Sequence, residues 1–66
     1  MKSYSSREVI ALLKKDGWYL VGCIGDHHHF KHPFKKGRVT VPHPPRKTLS
    51  AYVLKNISDQ SGIRFK

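Results

Sequence analysis

A small α+β domain, a three-stranded antiparallel sheet with both helices on one face, is the fold class this sequence predicts. Three observations lead there. A capped apolar stripe of helical period stands near the N-terminus, three β-branched and aromatic runs separated by glycine and proline turns fill the middle, and a second helical stripe follows. The order is α-β-β-β-α on one domain, residues 1–66, with no repeat or linker, and it leaves one sheet face open to solvent.

The elements follow in order. Ser5-Ser6-Arg7-Glu8 has the S-x-x-E form of a capping box, so a helix starts at about residue 6. Val9, Leu12, Leu13 and Asp16 fall at i, i+3, i+4 and i+7, while Arg7, Lys14 and Lys15 point outward. Gly17 follows where a positive-φ residue ends a helix, so the first helix covers about 6–16. Trp18 to Ile24 is a strand run bounded by glycines, and Gly25-Asp26 turns it into His27-His28-His29-Phe30-Lys31-His32. Pro33 to Gly37 makes a second turn, and Arg38-Val39-Thr40-Val41 is the third strand. Pro42-His43-Pro44-Pro45 stops that strand as a stiff extended connector, because each proline fixes φ and restricts the residue before it. Leu49, Val53, Leu54 and Ile57 then recur at helical spacing, which predicts a second helix over about 50–61 before Gly62.

Composition bounds the function. With 13 Lys plus Arg against 4 Asp plus Glu, the formal charge is +9, which points to a polyanionic partner, nucleic acid first and a membrane surface second. The length excludes a multidomain enzyme with a deep buried pocket. The single cysteine, Cys23, allows no internal disulfide, and no CxxC or finger spacing exists. No stretch has the length of a signal peptide's apolar region or of a membrane span, so a cytoplasmic location is expected.

Side chains alternate along a strand, so His27, His29 and Lys31 share one side of the second strand and His28, Phe30 and His32 the other. Phe30 is the best core residue of the run. Its side faces the helices, and His27, His29 and Lys31 project from the open face. RNA brings its own nucleophile, the 2′-OH, so cleaving it requires a base for that proton, cations for the phosphorane and an acid for the leaving oxygen. Among lysines an imidazole's charged form is disfavoured, which keeps the ring able to take a proton. His27 is the first choice for catalysis, with His28 and His29 as second choices. Lys31, Lys35, Lys36, Arg38 and His43 are the expected RNA contacts.

The same residues admit other readings. His27, His29 and Cys23 could hold zinc, but carboxylates are scarce and a structural site needs four ligands, so no metal or cofactor is expected. His43, between prolines, either contacts RNA or fills a rigid turn. Trp18 after the helix cap is a core residue before it is a stacking platform, and Cys23 is a small strand residue with no partner base. A polar exposed strand is the plain reading of His27-His28-His29, and a non-catalytic RNA-binding module is the alternative function.

Four blocks carry a resemblance: Lys15-Asp16-Gly17-Trp18, Gly25 to Pro33, Val39-Thr40-Val41-Pro42-His43-Pro44, and Gln60-Ser61-Gly62-Ile63. Their order and spacing over nearly the whole chain resemble the HicA family of toxins. The resemblance implies a miniature double-stranded-RNA-binding fold, an mRNA endonuclease activity, and a HicB-type antitoxin that neutralises it in a hetero-oligomer, with no membrane involved. The family motif Gly-Ser-His starts the second strand, and its histidine, the catalytic one, falls on His27. Asp26 stands at the family's serine position, where a carboxylate either orients the imidazole or favours its charged form. The stretch Pro45 to Val53 also departs from the family's Lys-rich, Gly-Thr-Leu approach to the second helix.

Overall fold

The first helix begins by satisfying its own open backbone donors. Glu8 N–H donates to Ser5 Oγ at 3.2 Å, and Ser5 N–H donates to Glu8 Oε1 at 2.9 Å, the reciprocal pair the spacing predicts. The computed structural model describes residues 3–42 and 48–65. Helix α1 runs Ser6–Lys15, strands β1, β2 and β3 run Tyr19–Ile24, His27–Lys31 and Val39–Pro42, and helix α2 runs Ala51–Ser61. The α+β order α-β-β-β-α is thus the one expected. His43 and the rest of the proline connector, 43–47, lie outside the described residues.

At the far end of α1, Trp18 N–H donates to the Leu13 carbonyl (2.9 Å) and Gly17 N–H to the Lys14 carbonyl (3.1 Å). This is a Schellman closure, and it requires the positive φ that Gly17 adopts, 104°. Trp18 and Leu13, the two residues such a closure brings together, are both in the core. Asp16 does not continue the apolar stripe; it is the exposed C-cap, and Ser6, Val9 and Leu13 form the buried face with Ile10 packed beside it. Ser50 caps α2, its Oγ accepting from Val53 N–H at 3.2 Å, and Gly62 (φ 77°) ends it with its N–H on the Ser58 carbonyl.

The strands lie in the order β1-β2-β3, all neighbours antiparallel. Between β2 and β3, Phe30 pairs with Val39 and His28 with Val41, while His29 pairs with Thr40 and His27 with Pro42. Phe30, Val39 and Val41 are fully buried in one cluster with Val9 and Leu13 of α1 and Leu54 and Ile57 of α2. Both helices therefore cover one sheet face, and residues of the opposite parity carry the other. Burying a side chain such as Phe30 contributes about 1.5–3 kcal/mol, so this parity is strongly enforced. Pro42 is the last residue of β3 rather than a stop before it. A proline is tolerated there because it ends a strand at the sheet edge. The helices pack mainly over β3, and β1 at the opposite edge is largely exposed.

The segment after β2 folds back on both helix ends. His32 Nε2 lies 2.8 Å from the Asp16 carbonyl, and its Nδ1 accepts from the N–H groups of Phe34 (3.0 Å) and Lys35 (3.1 Å). An Nδ1 that accepts twice carries no hydrogen, so Nε2 is the donor to Asp16. Lys35 Nζ reaches Asp16 Oδ2 at 2.6 Å and the Ser61 carbonyl at 3.0 Å, placing one ammonium at the negative ends of α1 and α2 together. Trp18 Nε1 donates to the same Asp16 oxygen at 3.2 Å. The hydrogen bond from Lys35 is the main cause of an Asp16 pKa below the ordinary carboxylate value, against a smaller opposing effect of burial.

Candidate active site

The face left open by the helices presents His27, His29 and Lys31 from β2 with Thr40 and Pro42 from β3. Register decides this. Their strand neighbours His28, Phe30, Val39 and Val41 belong to the covered face, so the parity expected from the sequence is the one observed. Alternate residues on a strand are about 6.5–7 Å apart, which sets the spacing of the two imidazoles along the face.

His27 opens β2 directly after the Gly25-Asp26 turn, where Gly25 adopts φ 60°. Its Nδ1 is 3.2 Å from Asp26 Oδ1, and both side chains are more than half exposed, at 57% and 59%. A carboxylate at Nδ1 holds the ring hydrogen on that nitrogen, so the neutral imidazole offers a bare Nε2. Such an exposed pair adds little to stability, and its consequence is orientation. His29 is half-buried, with Nδ1 3.0 Å from Thr40 Oγ1 on the neighbouring strand. Both rings are thus held through Nδ1, and Nε2 is the nitrogen each has left for a substrate.

Across β1, Ile24 pairs with His27, Gly22 with His29 and Tyr19 with Lys31. A Cβ added at Gly22 would meet nothing within 4 Å, so open space adjoins His29 on the strand beside it. The site is a surface, not a cavity. A groove of about 360 Å³ lies away from the histidines, lined by Tyr52, Leu54, Lys55 and Phe65 along α2. An uncovered face of this kind suits a polymer rather than a small enclosed ligand.

The expected residues do not all gather here. His28, a second choice, is half-buried on the helix-covered side of β2, away from His27 and His29. Lys31, Lys36 and Arg38 are exposed. Lys35 is engaged at the helix ends as described, and His43 lies outside the described residues. Trp18 is core, 2% exposed, and Cys23 is an exposed free thiol on β1. Among the described residues, no group of three or more His, Cys, Asp or Glu side chains converges as a metal would require. Thr40 and Gly22 are the members that sequence reasoning missed. Only the pairing register, 11 residues apart for Thr40 and His29, places them at the site.

Residues 6–63 match the model of a family described as the HicA toxin of bacterial toxin-antitoxin systems. The chain belongs to the HicA toxin family. A search of curated proteins returned no match. As a HicA toxin the chain is one half of a toxin-antitoxin pair, and an antitoxin is its implied partner. The span matched to HicA includes the Asp26-His27 turn, His29, Thr40 and His43.

Proposed function

We propose that this HicA toxin is a metal-independent endoribonuclease acting on mRNA in the cytoplasm, with His27 as general base and His29 as general acid. An antitoxin of HicB type neutralises it by covering the basic histidine face. One observation carries the reading: two imidazoles stand side by side on an uncovered sheet face, each held through Nδ1, by Asp26 and by Thr40.

With RNA across this face, His27 Nε2 takes the 2′-OH proton and the freed O2′ attacks the adjacent phosphorus. The P–O2′ bond forms, the P–O5′ bond breaks, and the proton on His29 Nε2 passes to the departing O5′. A 2′,3′-cyclic phosphate and a 5′-OH result, so atoms and charge balance without a co-reactant. Lys31, next on the same face, is the cation for the charge that develops on the phosphorane oxygens. Lys36 and Arg38 extend the phosphate contacts, while Thr40 positions the acid and does not touch substrate. Asp26, at the family's serine position, orients the base through its contact with His27 Nδ1.

The test is cleavage of an mRNA transcript in excess EDTA by wild type, His27→Ala and His29→Ala. Wild type cleaves, and each variant loses about 10²–10⁴-fold in rate with an unchanged circular dichroism spectrum. Undiminished cleavage by His27→Ala overturns the assignment. Intact RNA with wild type, together with binding that weakens steeply with salt, replaces it by the non-catalytic RNA-binding reading.

A further inference from the structure

Among the described residues, strand β1 is an uncapped sheet edge with an unusual composition for a surface. Its sequence, Tyr-Leu-Val-Gly-Cys-Ile, contains no charge in a chain of net charge +9. Tyr19, Leu20 and Val21 are about half exposed and Ile24 is 74% exposed. Its outer edge pairs with no strand of the sheet, because β2 is its one neighbour there. Soluble domains blunt such edges with lysine, proline or a bulge; here a register irregularity between Leu20 and Gly22 is the only one of these devices present.

We infer that β1 is the docking edge of the antitoxin, which adds an extended strand of its own to the sheet. The inference rests on the toxin-antitoxin reading and goes beyond it by naming the surface and the mode. Three arguments select the occupant. Free edge amides and carbonyls are satisfied by another strand, whose apolar residues meet Leu20 on the face of its neighbour Phe30 and Ile24 on the face of its neighbour His27. The domain's charge selects an acidic protein: a second copy brings another +9, and RNA finds no cation on β1 for its phosphates. Continuity with the histidine face supplies the consequence. Ile24 and Tyr19 are the cross-strand neighbours of His27 and Lys31, so a chain anchored at this edge overhangs the histidines and can present carboxylates to Lys31. Inhibition then follows from anchoring beside the site, with the apolar edge holding the partner and its acidic groups excluding phosphate.

The experiment titrates a purified HicB-type antitoxin that binds the wild-type chain into wild type, Leu20→Lys and Val21→Lys. Lysine is chosen because it increases attraction for an acidic partner, so any loss of affinity reports the edge itself. Affinity is expected to fall at least tenfold in both variants while their RNA cleavage without antitoxin stays at the wild-type rate. In the wild-type complex, hydrogen exchange at β1 amides is expected to slow on binding, a readout independent of whether Leu20→Lys folds. Equal affinities, or β1 amides that exchange alike free and bound, overturn the inference. So does a dimer of the toxin alone that the lysine variants abolish. If wild type leaves RNA intact yet the variants lose antitoxin, the nuclease reading falls and the docking edge stands; the opposite pair of results spares the nuclease alone.

Discussion

Replacing Gly17 by alanine tests the joint on which the sheet hangs. Gly17 holds φ 104°, and a Cβ built there lies 2.8 Å from His32 Nε2, closer than such atoms approach. Holding a non-glycine residue at positive φ costs about 1–3 kcal/mol. The imidazole cannot simply yield, because three hydrogen bonds fix it: to the Asp16 carbonyl and from the amides of Phe34 and Lys35. Displacing the ring sacrifices at least the first of these, about 1 kcal/mol. Alanine recovers about 0.4–1 kcal/mol by restricting the unfolded chain. The net loss is about 2 kcal/mol, against a total of roughly 3–10 kcal/mol for a domain of this length. For this size that corresponds to a fall in Tm of about 8–16 °C, read by thermal unfolding at neutral pH. A Gly17→Ala protein melting within about 2 °C of wild type would refute the reasoning, given that about 1 kcal/mol already moves Tm by about 4–8 °C. In a His32→Ala background the clash is gone, so the alanine should cost only its backbone strain, and a double-mutant cycle should show that coupling.

Two further outcomes follow from the same geometry. The depressed Asp16 pKa means that this carboxylate contributes stability above its unfolded value of about 3.9 and loses it as pH falls through the lower folded value. Thermal melts should therefore show Asp16→Asn less stable than wild type near neutrality by at most about 1 kcal/mol, since the Lys35 pair is over a third exposed, with the gap closing below about pH 4. A gap that stays constant with acidification would contradict the ion pair. Gly22→Val should fold as well as wild type, because its Cβ meets nothing within 4 Å and valine favours strands. By filling the space beside His29 it should nevertheless slow RNA cleavage at least about tenfold, about 1.4 kcal/mol of barrier; unchanged cleavage would show that RNA does not use that space.

Much of the fold was legible because its signals are local. Ser5 with Glu8 and Gly17 after Lys15 mark the two ends of α1 within a few residues, and Phe30 settles the parity of β2. That one parity decision also placed His27 and His29 on the open face. What could not be read depends on contacts across the chain. Lys35 looks like its neighbour Lys36 in sequence, yet the turn folds it onto Asp16 and Ser61, 19 and 26 residues away. His32 likewise looks like one more histidine of a run, and its three bonds at the end of α1 are structural. Thr40 joins His29 through register alone. The exposed β1 edge was invisible for a related reason, since an apolar strand run reads as core until the helices are seen to sit over β3.

The central claim is that RNA supplies the nucleophile and this histidine face only moves its protons. It is tested most directly by giving the wild-type toxin, in excess EDTA, two matched transcripts that differ by one atom. One is unmodified and the other carries a single 2′-deoxy sugar at the mapped cleavage position. The account predicts that the first is cut there, leaving a 2′,3′-cyclic phosphate and a 5′-OH, and that the second stays intact at that bond. Equal cutting of both would contradict it.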